Sequence, residues 1–318
     1  MQATWHEAPE GLFFRFLAPS NNTQKRMYSM NLCDIKTVKQ VMGMFHLTFR
    51  KEFGQNFLTD RSVVEDIASE CCEASNGTIL EIGPGIGTLT YELALRHRKV
   101  IALEIDRGLI PVLDYTLKEF DNVQVINEDV MQTDLHALLT DAFAQGPVSV
   151  CANLPYYITS PILMKLLESK LPFDYITVMI QKEVADRLCA RAGGKDYGAI
   201  TAVLNYYGEA EKLFDVPADR FLPAPKVDSA VIRIRLYRDK PCKPQNEELL
   251  FRTVKAAFAQ RRKTLTNALG AGFPELTKEQ INAVIADCGL EATVRGERLD
   301  IAQFSALSDA IGALITSA

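Results

Sequence analysis

Residues 78–87 read TILEIGPGIG, an apolar run that ends in a loop with three glycines. Glycines allow a chain to turn tightly and to approach a ligand closely, and a helix that begins after such a loop presents free backbone N–H groups. The spacing is GxGxG and lacks the third glycine of the GxGxxG dinucleotide pattern, which weakens the interpretation as an NAD site. The stretch predicts a strand, a ligand-binding turn and a helix, in that order.

Further short runs rich in β-branched residues follow, and amphipathic segments with helical periodicity separate them. Such alternation is typical of an α/β fold, in which helices cover both faces of a sheet. We predict a Rossmann-like sheet whose five parallel strands lie in residues 78–83, 100–106, 123–129, 148–154 and 176–181. Residues 211–216 and 230–236 follow without a clear intervening helix and flank a proline-containing stretch, so we predict an antiparallel pair that completes a seven-stranded sheet.

The character of the chain changes after Arg238, where residues 239–248 read DKPCKPQNEE. The prolines end any strand, the closing acids suit the first turn of a helix, and only helical periodicity follows as far as the C-terminus. We predict a linker near residues 239–246, between a sheet domain over residues 31–240 and a small all-helical domain over residues 241–318. About three helices are expected in the second domain, near residues 247–269, 277–288 and 300–315.

The composition is that of an ordinary globular protein, since 47% of the 318 residues are hydrophobic and 24% are charged. No apolar run approaches the roughly 18–20 residues that span a bilayer, so we expect no membrane contact. The seven cysteines and four histidines are scattered without a CxxC pair, which predicts neither a metal site nor a disulfide framework. Residues 1–30 lack the features of a secretion signal. Arg15, Lys25 and Arg26 would suit a mitochondrial presequence, but Glu7 and Glu10 count against one, so we predict a disordered N-terminal extension on a cytoplasmic protein.

The charges give opposing indications about a nucleic-acid partner. A net charge of −5 and a sequence pI of 5.6 argue against one, because phosphate contacts need lysine and arginine. Clustering on one face matters more than the total, and residues 233–243 and 252–263 are locally basic. The second segment contains no acid and carries Arg252, Lys255, Arg261, Arg262 and Lys263. Without further information, such a run indicates a solvated helix face.

Two carboxylates follow the glycine loop at the ends of the next two predicted strands. Glu104 lies at the tip of the second strand, where a carboxylate can accept hydrogen bonds from both hydroxyls of a nucleoside ribose. Asp129 ends the third strand, where it can accept one from an adenine amino group. Either acid alone is commonly just a solvated side chain, but the ordered set of glycine loop and two acids indicates an adenosyl cofactor.

The predicted fourth strand ends in Asn153-Leu154-Pro155-Tyr156. An amino group on a nucleobase is a poor nucleophile, because its lone pair is delocalised into the ring. The Asn153 amide oxygen and the Leu154 carbonyl, which Pro155 leaves available, can accept both N–H hydrogens and favour the pyramidal, reactive amine. Tyr156 offers a ring for stacking, worth about 1–3 kcal/mol per base. The tetrapeptide alone fits a structural turn equally well, and its place in the sheet is what favours catalysis.

These motifs occur in the same order in the KsgA (RsmA) family of ribosomal RNA adenine N6,N6-dimethyltransferases, which residues 31–318 resemble. Residues 53–58, FGQNFL, resemble the opening motif of the family. The resemblance implies S-adenosylmethionine as methyl donor, S-adenosylhomocysteine as product and no metal. The expected cofactor contacts are Gln55, Asn56, Leu58, Gly83, Gly85, Glu104, Asp129 and Asn153. Without the resemblance, Gln55 and Asn56 are simply polar residues before a helix.

Residues 221–229, FLPAPKVDS, resemble the FxPxPxVxS loop of the family, whose phenylalanine closes on the target adenine opposite the motif tyrosine. Two prolines stiffen this loop, so Phe221 can be held partly exposed at low entropic cost, although a core position is the alternative. The resemblance thus implies a catalytic set of Asn153, Leu154, Pro155, Tyr156 and Phe221. It also implies that the basic run over residues 252–263 contacts the RNA backbone. The implied targets are two adjacent adenines near the 3′ end of 16S ribosomal RNA, in the small subunit or its precursor, and the enzyme is expected to be a monomer.

Three other classes share parts of this pattern. Enzymes of the erythromycin-resistance class have similar cofactor motifs and modify large-subunit RNA, but residues 157–160 and the C-terminal stretch resemble the small-subunit family better. Mitochondrial relatives also act as transcription factors, whereas the intact tetrapeptide and glycine loop favour an active enzyme. DNA adenine methyltransferases need a region for duplex recognition and base flipping, and no insertion here is large enough.

Overall fold

The computed structural model describes residues 30–49, 54–73, 76–291 and 293–317. Within them, Leu32–Ala318 belong to one compact unit. Residues 1–29 of the predicted N-terminal extension and Phe53 of the predicted opening motif lie outside the described residues.

Two sheets occur in the described part of the chain. Their strands are β1 Phe57–Leu58, β2 Thr78–Ile82, β3 Lys99–Leu103, β4 Val123–Ile126, β5 Val148–Asn153, β6 Tyr175–Gln181, β7 Gly208–Val216, β8 Phe221–Leu222 and β9 Ser229–Leu236. The large sheet has the order β4-β3-β2-β5-β6-β9-β7, and β1 pairs with β8 in the small one. Strands β2 to β6 are parallel, and β9 is antiparallel to both β6 and β7. The predicted seven-stranded α/β sheet is confirmed.

The centre of the sheet determines where a ligand can bind. All residues of β2 are buried, as are those of β5 except Asn153, which explains their continuous apolar sequences. The chain order runs outward from β2 through β3 to β4 on one side, and through β5 to β6 on the other. The loops after β2 and β5 therefore diverge at the carboxyl edge, and this switch point is where open α/β sheets bind ligands.

Two strands end earlier than the sequence predicted. β3 ends at Leu103 and β4 at Ile126, so Glu104 and Asp129 lie in the loops that follow. Acidic side chains bind backbone N–H groups two residues further on: Glu104 accepts from Asp106 and Asp129 accepts from Met131, each at 2.8 Å. Such local hydrogen bonds compete with strand pairing and turn the chain away from the sheet.

Twelve helices are present in the described residues, and none is long and apolar enough to cross a membrane. Those before the C-terminal segment are α1 Ile35–Met44, α2 Arg61–Glu70, α3 Thr88–Arg96, α4 Ile110–Thr116, α5 Leu135–Gln145, α6 Thr159–Glu168, α7 Lys182–Leu188 and α8 Ala199–Tyr207. Helices α7 and α8 lie between β6 and β7, so the expectation of no intervening helix is wrong. The sequence of α8, AITAVLNYY, is rich in β-branched and aromatic residues, and its burial against the core outweighs that strand-like composition.

The C-terminal segment contains α9 Glu247–Ala259, α10 Leu265–Gly272, α11 Lys278–Asp287 and α12 Ile301–Ser317. The first predicted helix, residues 247–269, is thus two helices, and the basic residues 261–263 lie in the turn between them. Tertiary contacts fix this turn: the Leu265 N–H donates to the Val294 carbonyl at 2.7 Å, and the Arg261 guanidinium donates to the Glu297 carboxylate at 3.1 Å. These contacts outweigh the helical propensity of the run.

The C-terminal helices and the sheet share one continuous hydrophobic core. The ring of Phe251 on α9 lies 5.6 Å from that of Tyr206 on α8, between centroids. Glu247, at the start of α9, accepts hydrogen bonds from Tyr206 at 2.7 Å, Lys170 at 2.6 Å and Lys240 at 2.9 Å. The hydrogen bond from Lys170, helped by those from Tyr206 and Lys240, lowers the pKa of Glu247 to about 2. One ionised carboxylate thus joins the sheet, the linker and the C-terminal helices.

Candidate active site

A cavity opens at the carboxyl edge of the sheet, at the switch point between β2 and β5. It encloses about 830 Å³, a volume that includes space open to solvent. The predicted site residues that line it are Gln55, Asn56, Leu58, Gly83, Gly85, Glu104, Asn153, Leu154, Pro155 and Tyr156. Segments from three distant parts of the chain therefore meet here. Asp129 and Phe221 are not among the lining residues.

The glycine loop, residues 83–87, forms one wall of the cavity. Gly83, Gly85 and Gly87 have φ of +71°, +61° and +90°, a region that other residues rarely adopt. A Cβ on Gly85 would also lie 3.0 Å from the ring of Phe57. The loop thus requires glycine at this position for conformation and for space. Helix α3 begins directly after Gly87 and points its free N–H groups to the same edge.

Glu104 is the predicted ribose acceptor, and its carboxylate connects the glycine loop to the loop after β3. One oxygen accepts a hydrogen bond from the Gly85 N–H at 3.2 Å and the other from the Asp106 N–H at 2.8 Å. The side chain is only 4% exposed. Burial raises the pKa of Glu104 to about 7, although these backbone hydrogen bonds act in the opposite direction. This carboxylate therefore changes charge near neutral pH.

Glu81, the last but one residue of β2, is a second buried acid that lines the cavity. Burial raises its pKa to about 8, and the nearby Glu104 adds to that effect. Its Oε2 atom receives no hydrogen bond from the described residues. Glu81 lies within the stretch TILEIGPGIG, and the sequence pattern alone predicts no role for it. The signal that was available is an acid inside an otherwise apolar central strand, because a buried carboxylate is costly without a partner.

The Asn153 amide lies at the end of β5 and is held by the opening motif. Its Nδ2 donates to the Asn56 carbonyl at 3.2 Å, and the Asn56 side chain donates to the Gly54 carbonyl at 3.0 Å. In the described part of the chain, nothing donates to the Asn153 Oδ1 or to the Leu154 carbonyl. Because the Leu154 N–H donates to the Met179 carbonyl at 3.1 Å, this turn is anchored to β6. Two acceptors are thus fixed and available.

Tyr156 presents a half-buried ring next to these acceptors. Its hydroxyl lies 2.7 Å from the Oγ of Ser229, the first residue of β9. Burial raises the pKa of this hydroxyl above its ordinary value, so the tyrosine is neutral at physiological pH. The hydrogen bond to a fully buried serine fixes the ring orientation, as a stacking surface requires.

Two predicted site residues, Phe221 and Asp129, lie outside the cavity lining, and the Gln55 side chain already forms a hydrogen bond within the protein. Phe221 is 4% exposed and packs in a core cluster with Leu58 and Val64, so the expectation of a partly exposed ring is wrong. The pairing of β8 with β1 explains this, because it places Phe221 opposite Leu58. Asp129 caps its own turn. The Gln55 amide donates to the Asp106 carboxylate at 2.9 Å and so fixes the opening motif to the loop after β3.

Comparison with known proteins gives a family that fits this geometry. A model of the family described as ribosomal RNA adenine dimethylase matches residues 46–310. The chain belongs to this family. Its match begins before the opening motif and ends within α12, so it includes the whole cavity, α9, α10, α11 and the first part of α12.

Individual relatives of this rRNA adenine dimethylase agree with that assignment. The chain is 46% identical to the ribosomal RNA small subunit methyltransferase A of Lachnoclostridium phytofermentans, over 88% of this chain and 97% of that protein. It is 44% identical to the protein of the same name from Clostridioides difficile, over 88% of this chain and 96% of that one. Among solved structures, a dimethyladenosine transferase from Plasmodium falciparum matches the fold with a TM-score of 0.68 at 24% identity, covering 79% of this chain and 95% of that one. The 23S rRNA methyltransferase ErmE matches with a TM-score of 0.62 at 27% identity, over 81% of this chain and all of that one.

The predicted RNA contacts of this dimethylase are all exposed, and they lie on two elements. Arg252 and Lys255 are on α9, where Arg252 donates to the Glu275 carboxylate at 2.8 Å. The other three, residues 261–263, occupy the turn before α10. In the described residues, Lys255, Arg262 and Lys263 form no ion pair, so their charges face solvent.

Two further segments bring cations to the same turn. The Arg261 guanidinium donates to the Lys195 carbonyl, and the Gly193 N–H donates to the Glu297 carbonyl at 2.7 Å. Residues 191–195 and 295–298 therefore adjoin residues 261–263. We call the exposed cations of these three segments the basic surface, which comprises Arg191, Lys195, Arg261, Arg262, Lys263, Arg295 and Arg298. Four of them, Arg191, Lys195, Arg295 and Arg298, were not predicted from the sequence, because they approach residues 261–263 only in the folded chain.

Proposed function

We propose that this rRNA adenine dimethylase transfers methyl groups from S-adenosylmethionine to the N6 amino groups of two adjacent adenines near the 3′ end of 16S ribosomal RNA. The observation that carries the proposal is the pair of available acceptors, the Asn153 Oδ1 and the Leu154 carbonyl, beside the fixed ring of Tyr156. The relatives named small subunit methyltransferase A support the choice of RNA.

The cavity fits the methyl donor in shape. The left-handed glycine loop allows a ligand to lie against its backbone, and the buried Glu104 carboxyl group accepts a hydrogen bond from the Gly85 N–H of that loop. We assign the ribose to Glu104 and the amino-acid end to Asn56, Leu58 and the glycine loop. Asp129 lies outside the lining residues, and its assignment to the adenine side rests on the family resemblance. When bound, S-adenosylmethionine supplies a methyl group that is already activated as a sulfonium and leaves S-adenosylhomocysteine.

The protein side chains then have to orient a weak nucleophile. The Asn153 Oδ1 and the Leu154 carbonyl accept the two N6 hydrogens, which withdraws the nitrogen lone pair from the ring and directs it at the methyl group. Tyr156 holds the base by stacking, worth about 1–3 kcal/mol. The proton of the methylated amine leaves to solvent, so the reaction needs no residue with an unusual pKa. Orientation of the reacting atoms supplies much of the rate.

The C-terminal helices and the basic surface are proposed to bind the RNA backbone. We divide the chain into a catalytic domain over residues 31–240 and an RNA-binding domain over residues 241–318, with residues 191–195 contributing to RNA binding from the catalytic side. The exposed arginine and lysine side chains support this role, and among them Arg262 and Lys263 form no ion pair with the described residues. The proposed enzyme acts as a monomer in the cytoplasm, where its substrate is the small subunit or a precursor of it.

Transfer of radiolabelled methyl groups tests the proposal. The enzyme and labelled S-adenosylmethionine are incubated with undermethylated small subunits, and in parallel with large subunits and DNA, and N6,N6-dimethyladenosine is scored after digestion. Label in 16S RNA is expected. The second candidate is a large-subunit enzyme, which the similarity to ErmE favours. Label found only in the large subunit would establish that candidate, and cofactor binding without any transfer would point to a non-catalytic relative.

A further inference from the structure

Tyr157, directly after the catalytic tetrapeptide, is an aromatic side chain that the proposed mechanism does not use. It is 62% exposed, more than any other large hydrophobic side chain of the described residues. Its hydroxyl and ring have no hydrogen-bond, ring or cation partner among the described residues. An aromatic ring of this size normally contributes to a core or to an interface.

The position of this ring is fixed and lies at the rim of the cavity. A Cβ on Gly54 would lie 3.6 Å from the Tyr157 Cε1 and 3.1 Å from the Pro155 Cβ, so the ring lies beside two cavity-lining residues. The Pro155 carbonyl accepts from the Ile158 N–H at 3.2 Å and from the Thr159 hydroxyl at 3.1 Å, which closes the turn that carries Tyr157. Helix α6 begins directly afterwards at Thr159. The exposure therefore belongs to a well-anchored turn.

The chemistry of the reaction indicates what could cover this ring. An adenine whose N6 reaches Asn153 has to leave the base stack of its own strand, and the neighbouring base is then left without a stacking partner. Sequence-specific RNA recognition commonly places such splayed bases on aromatic side chains. Tyr157 lies one residue from Tyr156, at the opening through which the target base enters, where the next nucleotide of the strand has to pass.

We propose that Tyr157 is a stacking platform for the nucleotide that flanks the target adenine. The inference rests on the proposed function, and it adds a second base-binding position to the same site. Because the two proposed targets are adjacent and a fixed ring holds the neighbour on one side only, the nucleotide on Tyr157 is the other target adenine for one of the two targets. Tyr157 therefore positions the RNA strand and is not a catalytic residue, since it does not touch the reacting atoms.

The test compares Tyr157 variants on undermethylated small subunits. Tyr157→Ala is expected to raise KM for the subunits by about 5- to 150-fold, the range for one stacked base, with kcat changed much less. Tyr157→Phe and Tyr157→Trp keep a ring and are expected to stay near the wild-type KM. Tyr157→Leu keeps apolar area without a ring and is expected to behave like the alanine variant.

Two measurements keep the result interpretable. S-adenosylhomocysteine affinity, measured by calorimetry, is expected to be unchanged in every variant, which shows that the fold and the cavity are intact. Tyr237→Ala is the matched control, because Tyr237 is 38% exposed and follows β9 at the opposite edge of the sheet. It is expected to have the wild-type KM.

The outcomes separate this inference from the proposed function. If the wild-type enzyme does not methylate small-subunit RNA, the proposed function fails. If it does, and Tyr157→Ala has a wild-type KM, only the stacking role is overturned. A leucine variant as good as the phenylalanine variant would also overturn it, because apolar contact would then suffice.

Discussion

The cavity and the basic surface are proposed to recognise their partners by opposite physical means. In the cavity, the polar groups are buried: burial raises the pKa values of Glu81 and Glu104, and the acceptors at Asn153 and Leu154 are available to a base. On the basic surface, the cations face solvent. Buried groups act over short distances and depend strongly on geometry, whereas exposed charges act over about 8–10 Å and are screened by salt. Changes in the cavity should therefore alter chemistry, and changes on the basic surface should alter RNA affinity and its salt dependence.

The largest expected effect follows from removing one acceptor in the cavity. Asn153→Ala is predicted to reduce methyl transfer by a factor on the order of 100 or more, because the reacting centre then lacks a preorganised hydrogen-bonding group. Cofactor binding is expected to remain partly intact. Single-turnover transfer and calorimetry with S-adenosylhomocysteine measure the two properties. Asn267→Ala, at an exposed asparagine of α10, is the control, and full activity of Asn153→Ala would refute the catalytic role.

Substitution of Phe221 tests whether this residue acts in catalysis or only stabilises the core. Phe221→Ala is predicted to lower the free energy of unfolding by about 3–5 kcal/mol, because the ring is only 4% exposed. Denaturant titration followed by circular dichroism measures this decrease. Phe221→Leu should be milder because it leaves a smaller cavity. If the leucine variant is stable but has no methyl transfer activity, the ring moves onto the substrate during the reaction, as the family resemblance implies.

Charge reversal on the basic surface tests whether its cations bind RNA phosphates. The double change Arg262→Glu and Lys263→Glu is predicted to weaken binding to small subunits, and to reduce the slope of log K against log salt by roughly 1 for each phosphate that is no longer neutralised. Methyl transfer at saturating substrate should stay near wild type. Lys278→Glu provides the control, because Lys278 is exposed on α11 and outside the basic surface. An unchanged salt slope in the double variant would show that these two residues do not bind phosphate.

The last prediction is a pH dependence of stability that arises in the cavity. An acid with a raised pKa in the folded protein binds more protons there than in the unfolded chain, so its contribution to stability falls as pH rises from about 4.5 towards the folded value. For Glu81 this value is about 8 and for Glu104 about 7. The ligand-free protein should therefore lose thermal stability between pH 5 and pH 8. Glu81→Gln is predicted to reduce this loss in thermal scans, and an unchanged pH profile would show that Glu81 does not titrate in this range.

The sequence predicted most of the sheet and the cavity because their signals are local. A glycine loop directly after a strand, and Asn153 at the end of another, have few alternatives once the strands are ordered, since parallel strands bring their carboxyl ends to one edge. The end of β3 was predicted a few residues too late, but Glu104 still lies at the carboxyl edge of the sheet, because it directly follows the last residue of the strand.

What could not be predicted depends on contacts between distant segments. Residues 261–263 were predicted to be helical because their own propensities favour a helix. The helix ends before them because of contacts with Glu297 and Val294, which are distant in sequence. Phe221 read as exposed because nothing in its loop reveals the pairing with Leu58. The basic surface needed three segments to be assembled. In each of these regions, tertiary packing decided the conformation and local propensity did not.

The hydrogen bonds on Glu247 have a mechanical consequence. This carboxylate holds Tyr206, Lys170 and Lys240 together at the junction of sheet, linker and C-terminal helices. Because the junction also shares a continuous core, the C-terminal helices cannot swing freely about the linker. RNA bound to the basic surface would then reach the cavity at a fixed distance. The protein would therefore select nucleotides by their distance from the bound part of the RNA backbone.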